Sequence, residues 1–274
     1  VQDQATDGDL IARSSHGDRA AFDQIVTRHA PALLRLARAS TPDEASAADV
    51  VQEALLAAYR GAGTYDPLAG TLRTWLFSIA RNAARKAWRA RRELPGRESD
   101  AAEASLTELG VEAGWGADCA TSAFEERELL VRALATLAPE DLEIILLRDV
   151  EGLLGEEAAQ VLGLGLPAQK SRLHRARLRL MAAMRSAKGG VVENQRECGG
   201  LACGEVLAVL GSYVDGDLPA SERARVDAHL RGCTVCERFG GRYASVVEAA
   251  RSRLGAAPAV DPGQLERIRR SLEP

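Results

Sequence analysis

The stretch Leu147–Leu180, "LRDVEGLLGEEAAQVLGLGLPAQKSRLHRARLRL", decides the fold. Its "EGL" closes one helix, "GEEAAQVLG" predicts a short second helix, and "LGLP" predicts a turn. Pro167 suits a first helical turn and opens a basic helix that runs to about Met184. Two helices joined by a few glycine-containing residues, the second rich in Lys and Arg, have the outline of a helix-turn-helix. αα-Hairpins of ordinary bundles share this outline, so the flanking sequence must say what it serves.

Upstream, Leu134, Leu137, Leu142, Ile145 and Leu146 predict the helix that "EGL" ends. From Asp9 to about Arg92 the pattern is helical almost throughout, with apolar stripes at Leu10, Ile11, Phe22, Ile25, Val26, Leu33, Leu34 and Leu36. The helix Asp43–Arg60 is expected to bury Val50, Val51, Ala54, Leu55 and Ala58, with Asp49, Gln52 and Glu53 at its margin. After the glycine- and proline-broken "GAGTYDPLAG", a helix from Leu72 is apolar at Trp75, Leu76, Ile79 and Ala83 and then becomes basic. Residues 93–123 are rich in glycine, serine and acids and read as an acidic, mobile linker.

Composition agrees with an all-α protein. Apolar residues make up 46% and charged residues 27% of the 274, with alanine, leucine and arginine abundant and little β-branched enrichment. This length suits two or three small domains and exceeds a single ordinary core. No apolar run nears the roughly 20 residues that span a bilayer, and "VQDQATDGDLIARS" has no basic start or apolar core, so a cytoplasmic location without membrane contact is expected. The net charge of −4 hides two basic runs without an acid, Arg81–Arg92 and Lys170–Arg179, on either side of an acidic stretch. That asymmetry predicts contact with a polyanion at two places, against the alternative of two solvated helix faces.

"DVVQEALLAAYR", "LRTWLFSIARNAARKAW" and the opening stretch resemble, in order and spacing, the two domains of extracytoplasmic-function (ECF) sigma factors, over roughly Asp9–Met184. The resemblance implies an RNA polymerase sigma factor that directs transcription initiation at specific promoters and is not itself an enzyme. Asp49, Gln52 and Glu53 match positions that dock on the β′ clamp helices of core polymerase. The loop Gly61–Thr71 and Asn82 match the pocket for a flipped −10 base, with Arg81, Arg85, Lys86 and Arg89 holding the strand. Trp75 reads as core, and Trp88 stays open between core and stacking platform. Lys170, Ser171, Arg172, His174 and Arg175 match positions that read the −35 duplex, with Arg177 and Arg179 as phosphate contacts. Gln169 departs from the pattern by placing an amide at a normally buried position.

A third unit follows the "AKGG" break. It comprises the helices "CGEVLAVLGSYVD", "SERARVDAHLRG" and one starting at Cys233, and four of the chain's five cysteines fall between Cys198 and Cys236. His229, Cys233 and Cys236 have spacings that suit tetrahedral zinc, with Cys203 as the best fourth ligand and Cys198 as runner-up. The unit resembles the zinc-binding anti-sigma fold, which implies one structural or sensory zinc ion on Cys203, His229, Cys233 and Cys236. Ligand softness permits copper as well as zinc. Isolated Cys119 reads as incidental.

The expected organisation is a sigma region 2 bundle (1–92), the linker (93–123), a region 4 helix-turn-helix (124–187), a small helical zinc-binding domain (188–254) and a tail with one short helix (255–274). The third unit is expected to hold the sigma domains in a closed state through intramolecular contact, released by loss or exchange of metal or by a Cys233–Cys236 disulfide. Two alternatives stay open: a helix-turn-helix regulator acting without core polymerase, and a metal-sensing sigma factor whose third unit activates. A thiol oxidoreductase built on "CTVC" lacks the strand-rich setting it would need.

Overall fold

The computed structural model describes residues 5–91, 104–115, 123–184, 197–256 and 262–271. Cys119, most of the expected linker and the "AKGG" break lie outside the described residues. The fold is all-α, and among the described residues the only strands are the two two-residue strands of one hairpin. Among the described residues no helix is long and apolar enough to cross a membrane. Contacts divide the chain into two units that do not follow chain order. One comprises 1–98, 146–165 and 256–274, and the other 99–145 and 166–255.

The first unit is built on α1 (Asp7–Ser15), α2 (Arg19–Ser40), α3 (Glu44–Arg60) and α4 (Leu72–Arg91). The side chains of Thr6, Asp18 and Asp43 accept backbone N–H groups at the starts of α1, α2 and α3, fixing where each helix begins. Every apolar position expected to be inside on α1 to α3 is at most 3% exposed. On α4 the buried side is Leu72, Leu76, Phe77, Ala80, Ala83 and Ala84. Trp75 differs from its expectation: it is half-buried, tilted against Tyr65 with centroids 5.6 Å apart, because α4 turns this position toward the loop that precedes it. The unit also includes 146–150, the short helix α8 (Gly155–Leu162), and α13 (Pro262–Ser271), whose Arg269 lies 3.8 Å from Asp23.

The second unit gathers α5 (Leu106–Glu112), α6 (Ala123–Thr136), α7 (Pro139–Ile145), α9 (Leu166–Ala183), the hairpin β1 (Glu197–Cys198) and β2 (Leu201–Ala202), and α10 (Cys203–Asp215), α11 (Ala220–Gly232) and α12 (Thr234–Gly255). Two expectations change here. Residues 123–145 form two helices where one was expected, since Pro139 lacks an N–H and disfavours a helical conformation at Ala138 before it. Inside the expected linker, Ser105 and Glu108 make a reciprocal capping box, and α5 then buries Leu109, Ala113 and Trp115.

The basic helix α9 is the centre of this unit, with α5, α6, α7, α10 and α12 all packed on it. Leu173, Ala176, Leu178, Leu180 and Met181 are at most 2% exposed, so apolar residues cover several faces and not one stripe. Gln169 is wholly buried, and neither end of its amide meets a hydrogen-bond partner among the described residues. An unsatisfied buried amide costs about 1–3 kcal/mol. Gln169→Leu is therefore expected to raise the unfolding free energy by a comparable amount, seen as a higher urea midpoint at unchanged slope, and an unchanged or lower midpoint would show that the amide is satisfied.

Candidate metal centre and nucleic-acid interfaces

The hairpin and the α11–α12 junction build the candidate metal centre. Gly199, at φ +60°, approaches so closely that a Cβ there would stand 3.0 Å from the His229 backbone nitrogen. This seats the hairpin carbonyls against the imidazole: His229 Nδ1 lies 3.1 Å from the oxygen of Cys198 and 3.0 Å from that of Leu201. Donation from Nδ1–H to these oxygens leaves Nε2 as the lone-pair nitrogen, the usual outer-shell arrangement of a metal-ligating histidine. Fully buried, His229 presents Nε2 without a conventional hydrogen-bond partner among the described residues.

Cys203 at the start of α10, Cys233 between α11 and α12, and Cys236 in the first turn of α12 are all at most 4% exposed. One ligand atom from each of these cysteines and from His229 lies within 4.8 Å of the others. The Cys203 and Cys233 sulfurs are 3.7 Å apart. Two thiolates about 2.3 Å from a shared tetrahedral ion stand roughly 3.8 Å apart, whereas a disulfide needs about 2.05 Å. The donor set and its spacing thus fit a tetrahedral metal. Burial opposes ionisation of Cys233, but the Cys236 backbone N–H and hydrogen bonds with the Cys203 and Cys236 side chains bring its thiol down to about 7. Burial pushes the Cys236 thiol up, partly offset by a hydrogen bond from Trp115. Trp115 was missed in the sequence because its helix was read as linker. Cys198, the alternative ligand, is half-buried with Sγ 3.5 Å from the Gly232 oxygen and stands outside the cluster.

The residues expected to read the −35 duplex lie on α9, and the C-terminal helices engage several of them. Arg177 is 2% exposed and donates to Asp215 at 2.7 Å, with its guanidinium 6.0 Å from the Tyr243 ring centre. Lys170 pairs with Asp217 at 3.2 Å. His174 Nδ1 lies 3.0 Å from the Tyr243 hydroxyl, and Gly211 of α10 admits it, since a Cβ there would stand 3.1 Å from that nitrogen. Arg175 donates to the Ala104 carbonyl and Arg179 to Asp141. Ser171 is exposed and Arg172 half-exposed.

Burial pushes His174 down from 6.5 to about 4, with Arg177 and Arg175 reinforcing and a Leu207 backbone contact and Asp215 opposing. A depressed histidine costs nothing above pH 6.5; below it the released state takes up the proton first, so the packing of α9 weakens between pH 6.5 and 4, by roughly 3 kcal/mol in total. Amide exchange of α9 should accelerate over that window, and His174→Gln should flatten the part due to this group. A slope unchanged in His174→Gln would assign it elsewhere.

In the first unit, Asn82, Arg85, Lys86 and Arg89 are exposed on α4, and Asp49 and Glu53 are exposed on α3 with Gln52 half-buried. Lys86 pairs with Glu53 at 2.6 Å, tying an expected DNA contact to an expected polymerase contact. Arg81 donates to the Val161 carbonyl at 3.3 Å. The side chain of Trp88 lies outside the described residues.

Comparison with known proteins follows this division of labour. Residues 25–93 match the Sigma-70 region 2 family, 127–180 match the Sigma-70, region 4 family, and 203–236 match a zinc-finger family. The RNA polymerase sigma factor CnrH of Cupriavidus metallidurans is 34% identical over 180 residues, 64% of this chain and 92% of CnrH. The RNA polymerase sigma factor NccH of Alcaligenes xylosoxydans xylosoxydans is 34% identical over 190 residues, 69% of this chain and all of NccH. The ECF RNA polymerase sigma-E factor of Escherichia coli K12 is 33% identical over 181 residues, 65% of this chain and 93% of that protein.

Proposed function

Since the chain belongs to the extracytoplasmic-function group of RNA polymerase sigma factors, we propose that it directs core polymerase to its promoters only when its own C-terminal metal domain releases the −35 recognition helix. The observation that carries this reading is the engagement of α9: His174 and Arg177, matched to duplex contacts, are at most 5% exposed against α10 and α12. A helix in this state cannot lay those side chains on base edges or phosphates.

In the reading, 1–92 form region 2, 124–187 region 4 and 188–254 the metal domain. Asp49, Gln52 and Glu53 meet the β′ clamp helices. Asn82 and the loop 61–71 receive the −10 base, while Arg81, Arg85, Lys86 and Arg89 support its strand. Lys170, Ser171, Arg172, His174, Arg175, Arg177 and Arg179 face the −35 duplex once α9 is released. Cys203, His229, Cys233 and Cys236 would hold one zinc ion, which as a closed structural site would lock the hairpin, α10, α11 and α12 together. The protein then acts in the cytoplasm, where its polymerase is.

Asp215 and Asp217 supply acids to Arg177 and Lys170 in place of DNA phosphates. Loss or exchange of the metal, or oxidation of its thiols, loosens α10 and α12 and frees those cations. A gel shift tests the assignment: promoter DNA should be retained with core polymerase and the released chain, and not by the chain alone. Tight duplex binding without core would instead make it a helix-turn-helix regulator. Elemental analysis should find about one zinc per chain; copper in its place would mark a copper sensor.

A further inference from the structure

The first unit contains a contact that the metal domain takes no part in. Residues 146–162, the first half of the helix-turn-helix, lie on α4 and on the loop matched to the −10 base. The chain enters this contact through a wide turn in which the Glu151 N–H reaches the Leu146 carbonyl five residues back, at 2.8 Å. Wide turns of this kind inside helices frequently mark functional positions. Here the turn aims Glu151 inward: its side chain is 2% exposed and pairs with Arg35 at 2.6 Å and with Arg73.

Beyond it, α8 supplies acceptors and an amide to the loop. Glu157 accepts from the hydroxyls of Thr71 and Thr74 at 3.3 and 3.2 Å. Gln160 donates to the Ala69 carbonyl at 3.2 Å and covers Gly70, where a Cβ would stand 3.3 Å from its Oε1. The Val161 carbonyl takes the guanidinium of Arg81. Glu157 and Gln160 form part of one wall of a cavity of about 660 Å³ whose other walls include Tyr65, Pro67, Leu68 and Thr71.

The geometry points to α8 as an intramolecular occupant of the −10 surface: acidic and carbonyl oxygens of 151–161 satisfy the same hydroxyl and guanidinium donors that single-stranded promoter DNA would use, so strand and helix compete. This is a second lock, separate from the metal domain's hold on α9. It rests on the sigma reading of loop 61–71 and Arg81. Removing Glu151 leaves Arg35 and Arg73 without their carboxylate, and a nucleic-acid strand can take its place because it brings anions of its own.

The test uses the full-length, metal-loaded protein in two variants that weaken the contact from opposite sides, Glu151→Gln with Gln160→Lys, and Arg73→Gln. Amide exchange of residues 61–71 should accelerate in both, with α9 exchange unchanged. Promoter-specific transcription with core polymerase should rise about fivefold or more, the lower end of typical coupling between sites. If one variant misfolds by circular dichroism, the other still decides. Unchanged loop exchange and unchanged transcription in a folded variant would overturn the second lock. The sigma reading fails separately, if the unmodified chain stripped of metal also yields no promoter-specific transcript.

Discussion

Removing the metal, or replacing Cys233 with serine, is expected to melt residues 197–256 and expose α9. Structural zinc contributes roughly 10–16 kcal/mol of apparent folding free energy in isolated zinc-finger peptides. The gain here is smaller, because Val206, Leu207, Leu210, Phe239 and Val246 also bury apolar surface in the unit. The expected result is nonetheless large: helical signal lost from the C-terminal third, fast amide exchange across α9, and promoter-specific transcription raised by an order of magnitude. Re-addition of one equivalent of zinc should reverse all three for the native chain and not for Cys233→Ser. Retention of α9 protection without metal would mean that packing alone holds the helix.

The second large effect is expected at Asp215. Breaking one side of a buried pair leaves the other charge uncompensated and costs about 3–5 kcal/mol, whereas replacing both members with apolar side chains of similar size is often nearly neutral. Arg177 is 2% and Asp215 12% exposed at the side chain, so the pair falls under that rule. Asp215→Ala should therefore weaken the α9–α10 contact strongly and raise transcription, with the metal still bound. Arg177→Met together with Asp215→Leu should leave the contact almost intact and reduce transcription from the released state, because a phosphate contact is gone. Equal effects of Asp215→Ala and of the double replacement on α9 exchange would argue against a buried, competing ion pair.

The helices of the first unit were legible because their apolar stripes recur at helical spacing, and Leu10, Phe22, Leu55 and their neighbours are buried as that periodicity requires. That Cys203, His229, Cys233 and Cys236 would come together was legible from spacing and from the family likeness. Gln169 was legible as an anomaly: an amide at a core position is fully buried and meets no hydrogen-bond partner among the described residues. What the sequence concealed depended on partners far along the chain. Nothing local to "KSRLHRARLRL" says that Arg177 meets Asp215 or that His174 meets Tyr243, since a basic helix looks alike whether it faces acids of its own chain or phosphates.

Other misses had signals that went unread. Ser105 and Glu108 spell a capping box within a segment whose composition suggested linker, and Gly199–Gly200 between two short extended segments is a hairpin signal. Pro139 marked a helix boundary inside an otherwise continuous periodic run. The wide turn at 146–151 has no such sequence mark. Its hydrogen bonds skip one residue because Glu151 is drawn to Arg35 and Arg73, a tertiary demand invisible to periodicity.

Start-site-specific RNA synthesis with core polymerase, comparing the full metal-loaded chain with one ending at Met184, tests the central claim most directly. The shortened chain keeps both sigma regions and drops Asp215, Tyr243 and the metal ligands. The account predicts at least tenfold more transcript from the shortened chain, with the difference abolished when the full chain is stripped of metal. Equal transcript from the two chains under metal-loaded conditions would contradict it.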